Sequence, residues 1–160
     1  MKVSEHLLYG GSASFALIPA FGNKSLFFFL GSILIDLDHY IDFLYYGRFK
    51  NWSIKKMFIF HGTMSDWKYK PNILALEAFH TMEFLLIFFF ISFLTHSKEL
   101  SLFWFGMIFH LGLDLIRLKQ WKIVNNRALS FVEYWIRAKK MKKIGIHPEK
   151  IFEEVYQTIK

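Results

Sequence analysis

Ionisable side chains lie inside the most apolar stretches of this chain, and this pattern constrains its fold more than any other feature. Nine aspartate, glutamate and histidine residues fall within or at the edge of segments that are apolar enough to enter a lipid bilayer. They are His6, Asp36, Asp38, His39, Asp42, His80, Glu83, His110 and Asp114. An ionisable group in hydrocarbon costs several kcal/mol unless it is paired, hydrated or bound to a metal ion, so each is a candidate for a functional site.

Four apolar segments predict an all-α integral membrane protein. They cover residues 7–21, 26–46, 73–95 and 100–116. The second and third reach the roughly 20 residues that a membrane-spanning helix needs, and the other two are shorter. The hydrophobic content of 54%, with 20 Phe, is high for a soluble domain of 160 residues. We expect a bundle of about four transmembrane helices over residues 1–116, followed by an amphipathic helical tail over residues 117–160.

The distribution of lysine and arginine predicts the orientation of this bundle. Of the 20 basic residues, all but Lys24 and Lys98 lie before the first segment, between the second and third, or after the fourth. Excess positive charge marks the cytoplasmic side of a membrane protein. We therefore expect a multi-pass protein of the cytoplasmic membrane with both termini in the cytoplasm. The ionisable residues then lie in the inner half of the membrane.

The spacing of these residues indicates a metal site inside the bundle. Residues three or four apart share one face of a helix. Three sets have this spacing: His110 with Asp114, His80 with Glu83, and Asp36 with His39 and Asp42. Helical bundles bind metals with carboxylates and histidines that project inward in this way. The chain has no cysteine, so any metal must be held by nitrogen and oxygen atoms.

Simpler interpretations of the same residues remain open. His110 with Asp114 can be an ion pair near the membrane interface, His80 with Glu83 a buried hydrogen-bonded pair, and residues 36–42 a solvated kink. Three carboxylates within seven residues repel each other in a medium of low dielectric constant, and a divalent cation relieves that repulsion. Asp38 is rotated away from Asp36 on a helix, so one aspartate can bind a metal while the other orients a histidine.

A basic cluster marks the tail, which is not apolar enough to span a membrane. Its members, next to Tyr134 and Trp135, are Arg137, Lys139, Lys140, Lys142 and Lys143. Such a cluster suits a helix that lies on an anionic membrane surface. Nucleic-acid binding is the competing interpretation. Beside a membrane bundle we expect lipid headgroups as the partner and no nucleic acid.

Four motifs in order along the chain resemble the LexA-regulated, membrane-bound metal-dependent hydrolase family. They are His6, the run Leu-Ile-Asp-Leu-Asp-His that ends at His39, a central histidine-bearing region, and His110-x-x-x-Asp114. The second motif of the family usually reads Pro-Asp-x-Asp-His, and Ile35 replaces the proline here. The resemblance covers residues 1–116.

The central motif of this chain departs from the family pattern. The family commonly has a His-x-Gly-x-Thr-His-Ser stretch, whereas this chain has His61 before Gly62 and Thr63, and a separate His80. Either His61 or His80 can correspond to the family's central histidine. On the residues alone, His61 is either a lid residue of an active site or a polar histidine in the basic loop.

The resemblance implies a small helical membrane protein that carries out metal-dependent hydrolysis, with a further likeness to zinc-dependent phospholipase C. We expect one or two divalent metal ions, with zinc as the first candidate. The expected ligands are His6, Asp36, Asp38, His39, His80, His110 and Asp114. We expect Glu83 to act as the general base and His61 as the general acid. The depth of the site favours an amphiphilic substrate, such as a phospholipid or another lipid-linked phosphoester.

Transport is the alternative function. A divalent-cation or proton pathway would also place carboxylates and histidines inside a bundle. It predicts polar residues that continue to the outer face of the membrane. Residues 84–94, in the outer half, carry no charge, and this argues against a pathway within one chain.

Overall fold

The computed structural model describes residues 3–160, and its fold is all-α, as predicted. Over these residues the helices are α1 (Val3–Phe21), α2 (Ser25–Leu34), α3 (Leu37–Tyr46), α4 (Ile54–Asp66), α5 (Met82–Thr95), α6 (Lys98–Gln120), α7 (Phe131–Lys143) and α8 (Glu149–Thr158). Short 3-10 turns cover Gly22–Lys24, Ala78–His80 and Val124–Asn126. Lys2, which the orientation prediction counts, lies outside the described residues.

The chain forms two compact units. The first unit consists of Met1–Asp36 and Met82–Lys122, and therefore contains α1, α2, α5 and α6. The second unit consists of Leu37–Thr81 and Ile123–Lys160, and contains α3, α4, α7 and α8. The predicted boundary at residue 116 separated membrane helices from a tail, and it stays a prediction.

In the first unit, α1 and α2 pack against each other because the chain reverses at Gly22. Gly22 has a φ of 56°, which glycine adopts without steric cost. Across this helical hairpin the Ser14 hydroxyl donates a hydrogen bond of 2.8 Å to the carbonyl oxygen of Ser25. The bond pairs the middle of α1 with the start of α2.

Two glycines allow α2 and α6 to approach closely. A Cβ atom at Gly31 would overlap the carbonyl oxygen of Phe103, and a Cβ atom at Gly106 would overlap that of Phe28. Small residues at such contacts let helix backbones pack closely, which is common between helices in membranes. The contact brings α6, which carries His110, against α2.

The second unit has an aromatic core built from α3, α4 and α8. Its buried members are Phe43, Leu44, Phe60, Phe152, Val155 and Tyr156. The rings of Tyr46 and Phe152 stack with centroids 5.1 Å apart. Helix α8 supplies half of this core, through Phe152, Val155 and Tyr156.

A parallel pair of two-residue strands also belongs to the second unit. Strand β1 (Ala75–Leu76) pairs with β2 (Arg127–Ala128), with Ala75 opposite Arg127. Leu74, Ala128 and Ala138 form a small core beside the strands, against which Tyr134 and Met141 of α7 pack.

Two of the four predicted apolar segments are not single helices. The second breaks after Leu34, where Ile35 and Asp36 form a turn before α3 begins at Leu37. The third is wrong in its first nine residues, because residues 73–81 form β1 and a 3-10 turn and the helix begins only at Met82. Apolar composition alone does not reveal these breaks. The basic loop after residue 46 also contains α4, a helix too polar to be recognised as an apolar segment.

Two helical stretches are long and apolar enough to cross a membrane. They are Val3–Tyr46, which includes the turns between α1, α2 and α3, and Lys98–Gln120. The helix α5 is apolar but has only 14 residues, so its length is about 21 Å at 1.5 Å per residue. Length and composition thus identify two candidate spans.

Candidate metal centre

Four of the seven predicted metal ligands meet in the first unit. His110 Nε2 lies 3.2 Å from a carboxylate oxygen of Asp36 and 3.6 Å from one of Asp114. His6 Nε2 lies 3.3 Å from the other oxygen of Asp114. His6, His110 and Asp114 are buried, and the Asp36 side chain is 21% exposed. We call these four residues the first cluster.

The local structure explains why these side chains converge. His110 and Asp114 are four residues apart on α6 and therefore share a helix face. Asp36 follows the end of α2, which packs closely on α6, and His6 lies in the second turn of α1. The imidazole rings of His6 and His110 stack with centroids 3.8 Å apart and planes 11° from parallel.

The hydrogen bond of His110 to the backbone fixes its tautomer. Its Nδ1 lies 2.7 Å from the carbonyl oxygen of Ser32. A carbonyl oxygen only accepts, so Nδ1 donates, and the lone pair of the neutral ring is on Nε2, which faces the two carboxylates. Metal-binding histidines are usually oriented by such a bond from their other nitrogen. The ring is therefore held as a metal ligand would be.

Three residues of the first cluster fit a metal ion by distance and donor type. One ligand atom each from His6, Asp36 and His110 lies within 4.8 Å of the others. Nitrogen and carboxylate oxygen donors suit zinc and other divalent transition metals. The Nδ1 atom of His6 is buried and has no hydrogen-bond partner among residues 3–160. A buried nitrogen without such a partner is a position at which an ion can bind.

The other three predicted ligands, Asp38, His39 and His80, belong to the second unit. Asp38 is completely buried. Its Oδ2 accepts a hydrogen bond of 3.0 Å from the Phe79 N–H and lies 2.9 Å from His80 Nδ1. A carboxylate bound to Nδ1 in this way orients the ring and leaves Nε2 to face a metal or a substrate. Asp38 thus has the geometry of the orienting aspartate.

His39, His61 and His80 bring three imidazole rings together in the second unit. The ring centroid of His39 lies 4.5 Å from that of His61 and 5.9 Å from that of His80. His61, on α4, has Nε2 at 2.7 Å from the carbonyl oxygen of His39, to which it donates. We call Asp38 and these three histidines the second cluster.

Sequence reasoning missed two charged residues beside the second cluster. The Arg127 guanidinium, which is buried, forms an ion pair with Glu77. Glu77 Oε2 lies 3.6 Å from His80 Nδ1. The pairing of β1 with β2 brings these residues together, although they are fifty positions apart. No local spacing could have revealed this contact.

One predicted helix face is wrong. His80 lies in the 3-10 turn before α5, and Thr81 is extended with ψ 149°, so His80 and Glu83 do not share a helix face. Asp36 lies in the turn just before α3, which begins at Leu37. Glu83, the predicted general base, is in the first turn of α5 in the first unit.

No family model, curated protein or solved structure matches this chain. The resemblance to the LexA-regulated hydrolase family therefore stays a prediction that rests on the sequence motifs, and the geometry of the two clusters carries the functional argument.

Proposed function

We propose that this chain is a membrane-bound, metal-dependent hydrolase that acts on a phospholipid or another lipid-linked phosphoester. The observation that carries the proposal is the first cluster, in which two stacked histidines and two carboxylates are drawn together inside an otherwise apolar helical unit. Ionisable groups in such surroundings are costly unless they are paired, hydrated or bound to a metal ion, and they mark functional sites.

The surface of the first unit supports a membrane location. Large apolar side chains on α1 and α5 are each more than half exposed. They are Leu8, Phe15, Ile87, Phe90, Phe93 and Leu94. Exposure of so many large apolar side chains to water is unfavourable, whereas lipid accommodates them. We propose that α1, α2, α5 and α6 form the four membrane-embedded helices, with both termini in the cytoplasm as the basic residues predict.

The donor set supports a divalent metal, with zinc as the first candidate. His6, Asp36, His110 and Asp114 would hold it, because their nitrogen and oxygen atoms already face one another. A bound divalent ion would supply Lewis acidity and lower the pKa of a water molecule toward neutrality. The Ser32 carbonyl keeps His110 in the tautomer that presents Nε2.

Proton transfer is assigned to residues outside the first cluster. Glu83 is the proposed general base, and its Oε2 is buried, which holds a carboxylate away from competing water. His61, the general acid of the sequence-based hypothesis, belongs to the second unit, where its Nε2 donates to the His39 carbonyl oxygen, and its role stays a prediction. Asp38 orients His80 and moves no proton in this scheme.

Hydrolysis of lipids by the purified protein tests this function. The protein, reconstituted with zinc, manganese or magnesium, is incubated with mixed phospholipids and isoprenoid phosphates, and released headgroups are measured by mass spectrometry. His110→Gln should lower the rate by more than about a hundredfold, since it removes a ligand that the Ser32 bond holds in place. His96→Gln, in the exposed connection before α6, is the matched control. No hydrolysis with any metal, or equal rates in the two variants, would contradict the proposal.

A further inference from the structure

The helix α7 has two faces of opposite character. Tyr134, Ala138 and Met141 pack into the second unit. On the opposite face Val132 is 61% exposed and Trp135 is 63% exposed. Phe131 and Ile136 extend this apolar face, and Ile144, just past the helix end, is also exposed. Four large apolar side chains on the outer face of one 13-residue helix are unusual for a surface that meets only water.

Apart from the residues that form ion pairs, the charged side chains of α7 are all positive. The Leu129 N–H donates to the Glu133 carboxylate at 2.8 Å. This bond holds the pKa of Glu133 below its usual value, so Glu133 is ionised. Its carboxylate pairs with the Arg137 guanidinium at 2.7 Å. Lys142 pairs with Glu149 at 2.9 Å. The remaining basic residues of α7 are Lys139, Lys140 and Lys143, all of which are exposed.

Helical spacing places the lysines among the apolar residues. Positions 131, 132, 135, 136, 139, 140 and 143 fall within one half of the helix circumference at 100° per residue. The Lys139 ammonium lies 4.9 Å from the centre of the Trp135 ring, so cation and aromatic ring occupy one patch. We call these seven positions the outer face of α7.

We propose that the outer face of α7 binds the anionic surface of a lipid bilayer, with the aromatic and aliphatic side chains at the level of the headgroups and the lysines paired with lipid phosphates. Charge complementarity selects this partner, because an apolar strip flanked by lysines is the composition of interfacial helices on anionic lipids. A nucleic acid would match the charge but would leave Val132 and Ile136 without apolar contacts. The inference does not depend on hydrolase activity.

Single fluorescent labels test the proposal directly, since the chain has no native cysteine. The full chain carries an environment-sensitive fluorophore at Val132→Cys and is reconstituted into bilayers that contain a lipid-borne quencher. We expect blue-shifted, strongly quenched emission with bilayers rich in phosphatidylglycerol, and much weaker quenching with phosphatidylcholine alone. The substitutions Lys139→Gln, Lys140→Gln and Lys143→Gln together, or high salt, should abolish the difference.

Two control labels make the outcome decisive. Gln157→Cys, on the exposed side of α8, should stay in water, and Phe58→Cys reports on the exposed apolar residues of α4. The proposal is overturned if the Val132 label is quenched no more than the Gln157 label, or if only the Phe58 label contacts lipid. A shift of the Val132 label by added oligonucleotide but not by lipid would overturn it in favour of nucleic acid. Quenching without any measurable hydrolysis would support it while contradicting the proposed enzyme.

Discussion

At the scale of single residues, three histidines of the two clusters are each held through one ring nitrogen. His110 donates to the Ser32 carbonyl, His61 donates to the His39 carbonyl, and His80 is bound to Asp38 through Nδ1. Each bond selects a tautomer and a ring orientation before any ligand arrives. This preorganisation distinguishes the clusters from surface histidines.

We expect the Asp38 side chain to contribute mainly to the stability of the fold. In Asp38→Ala the Phe79 N–H and the His80 ring lose their buried acceptor, and we expect a loss of about 2–4 kcal/mol in the free energy of unfolding. Thermal unfolding of the purified protein, followed by circular dichroism, measures this loss. The matched variant Asp66→Ala, at the exposed end of α4, should change stability by less than about 0.5 kcal/mol. Equal effects of the two substitutions would show that Asp38 has no special structural role.

At the scale of elements, apolar composition located some helices and missed others for identifiable reasons. The segment 100–116 lies within α6, which runs unbroken over Lys98–Gln120. The prediction of one helix over 73–95 was wrong because its first residues form a strand and a turn. These depend on the distant partners Arg127 and Asp38, which apolar composition does not reveal. The pair His110 and Asp114 was predictable from spacing, whereas the stack of His6 on His110 depends on residues 104 positions apart.

The close contact of α2 with α6 gives a prediction at this scale. Gly106→Ala places a Cβ against the Phe28 carbonyl oxygen and must push the helices apart. We expect a destabilisation of about 1–3 kcal/mol and a reduced metal content, since α6 carries His110. Gly112→Ala, on the same helix, meets no heavy atom within 4 Å and should be neutral or slightly stabilising. If both variants unfold at the same temperature, the helices do not pack as described.

At the scale of the whole molecule, the chain passes three times between two units, so neither unit is a continuous piece of sequence. Residues 37–81 and 123–160 build one aromatic core together. A division of the sequence into an apolar part and a polar tail cannot reveal this, because hydropathy ranks segments without saying which of them pack together. Composition predicted an all-α fold, whereas tertiary contacts determine which helices belong to each unit.

The orientation of the molecule in a membrane gives a prediction at this scale. Single cysteines at Lys55, on α4, and at His96, between α5 and α6, should lie on opposite sides. A membrane-impermeant maleimide should label His96→Cys in intact cells and Lys55→Cys only after the membrane is disrupted, because basic segments remain in the cytoplasm. Labelling of both cysteines in intact cells, or the reverse pattern, would contradict this orientation.

The central claim is that the first cluster binds a metal ion, and elemental analysis of the detergent-purified protein tests it most directly. We compare the wild type, an Asp36→Asn/His110→Gln variant and a control Asp66→Asn/His96→Gln variant, each with its helix content measured. The wild type and the control should contain a stoichiometric divalent transition metal, which the first variant lacks although it is folded. A folded wild type that holds no metal after incubation with zinc, or a first variant that retains it, would contradict the claim.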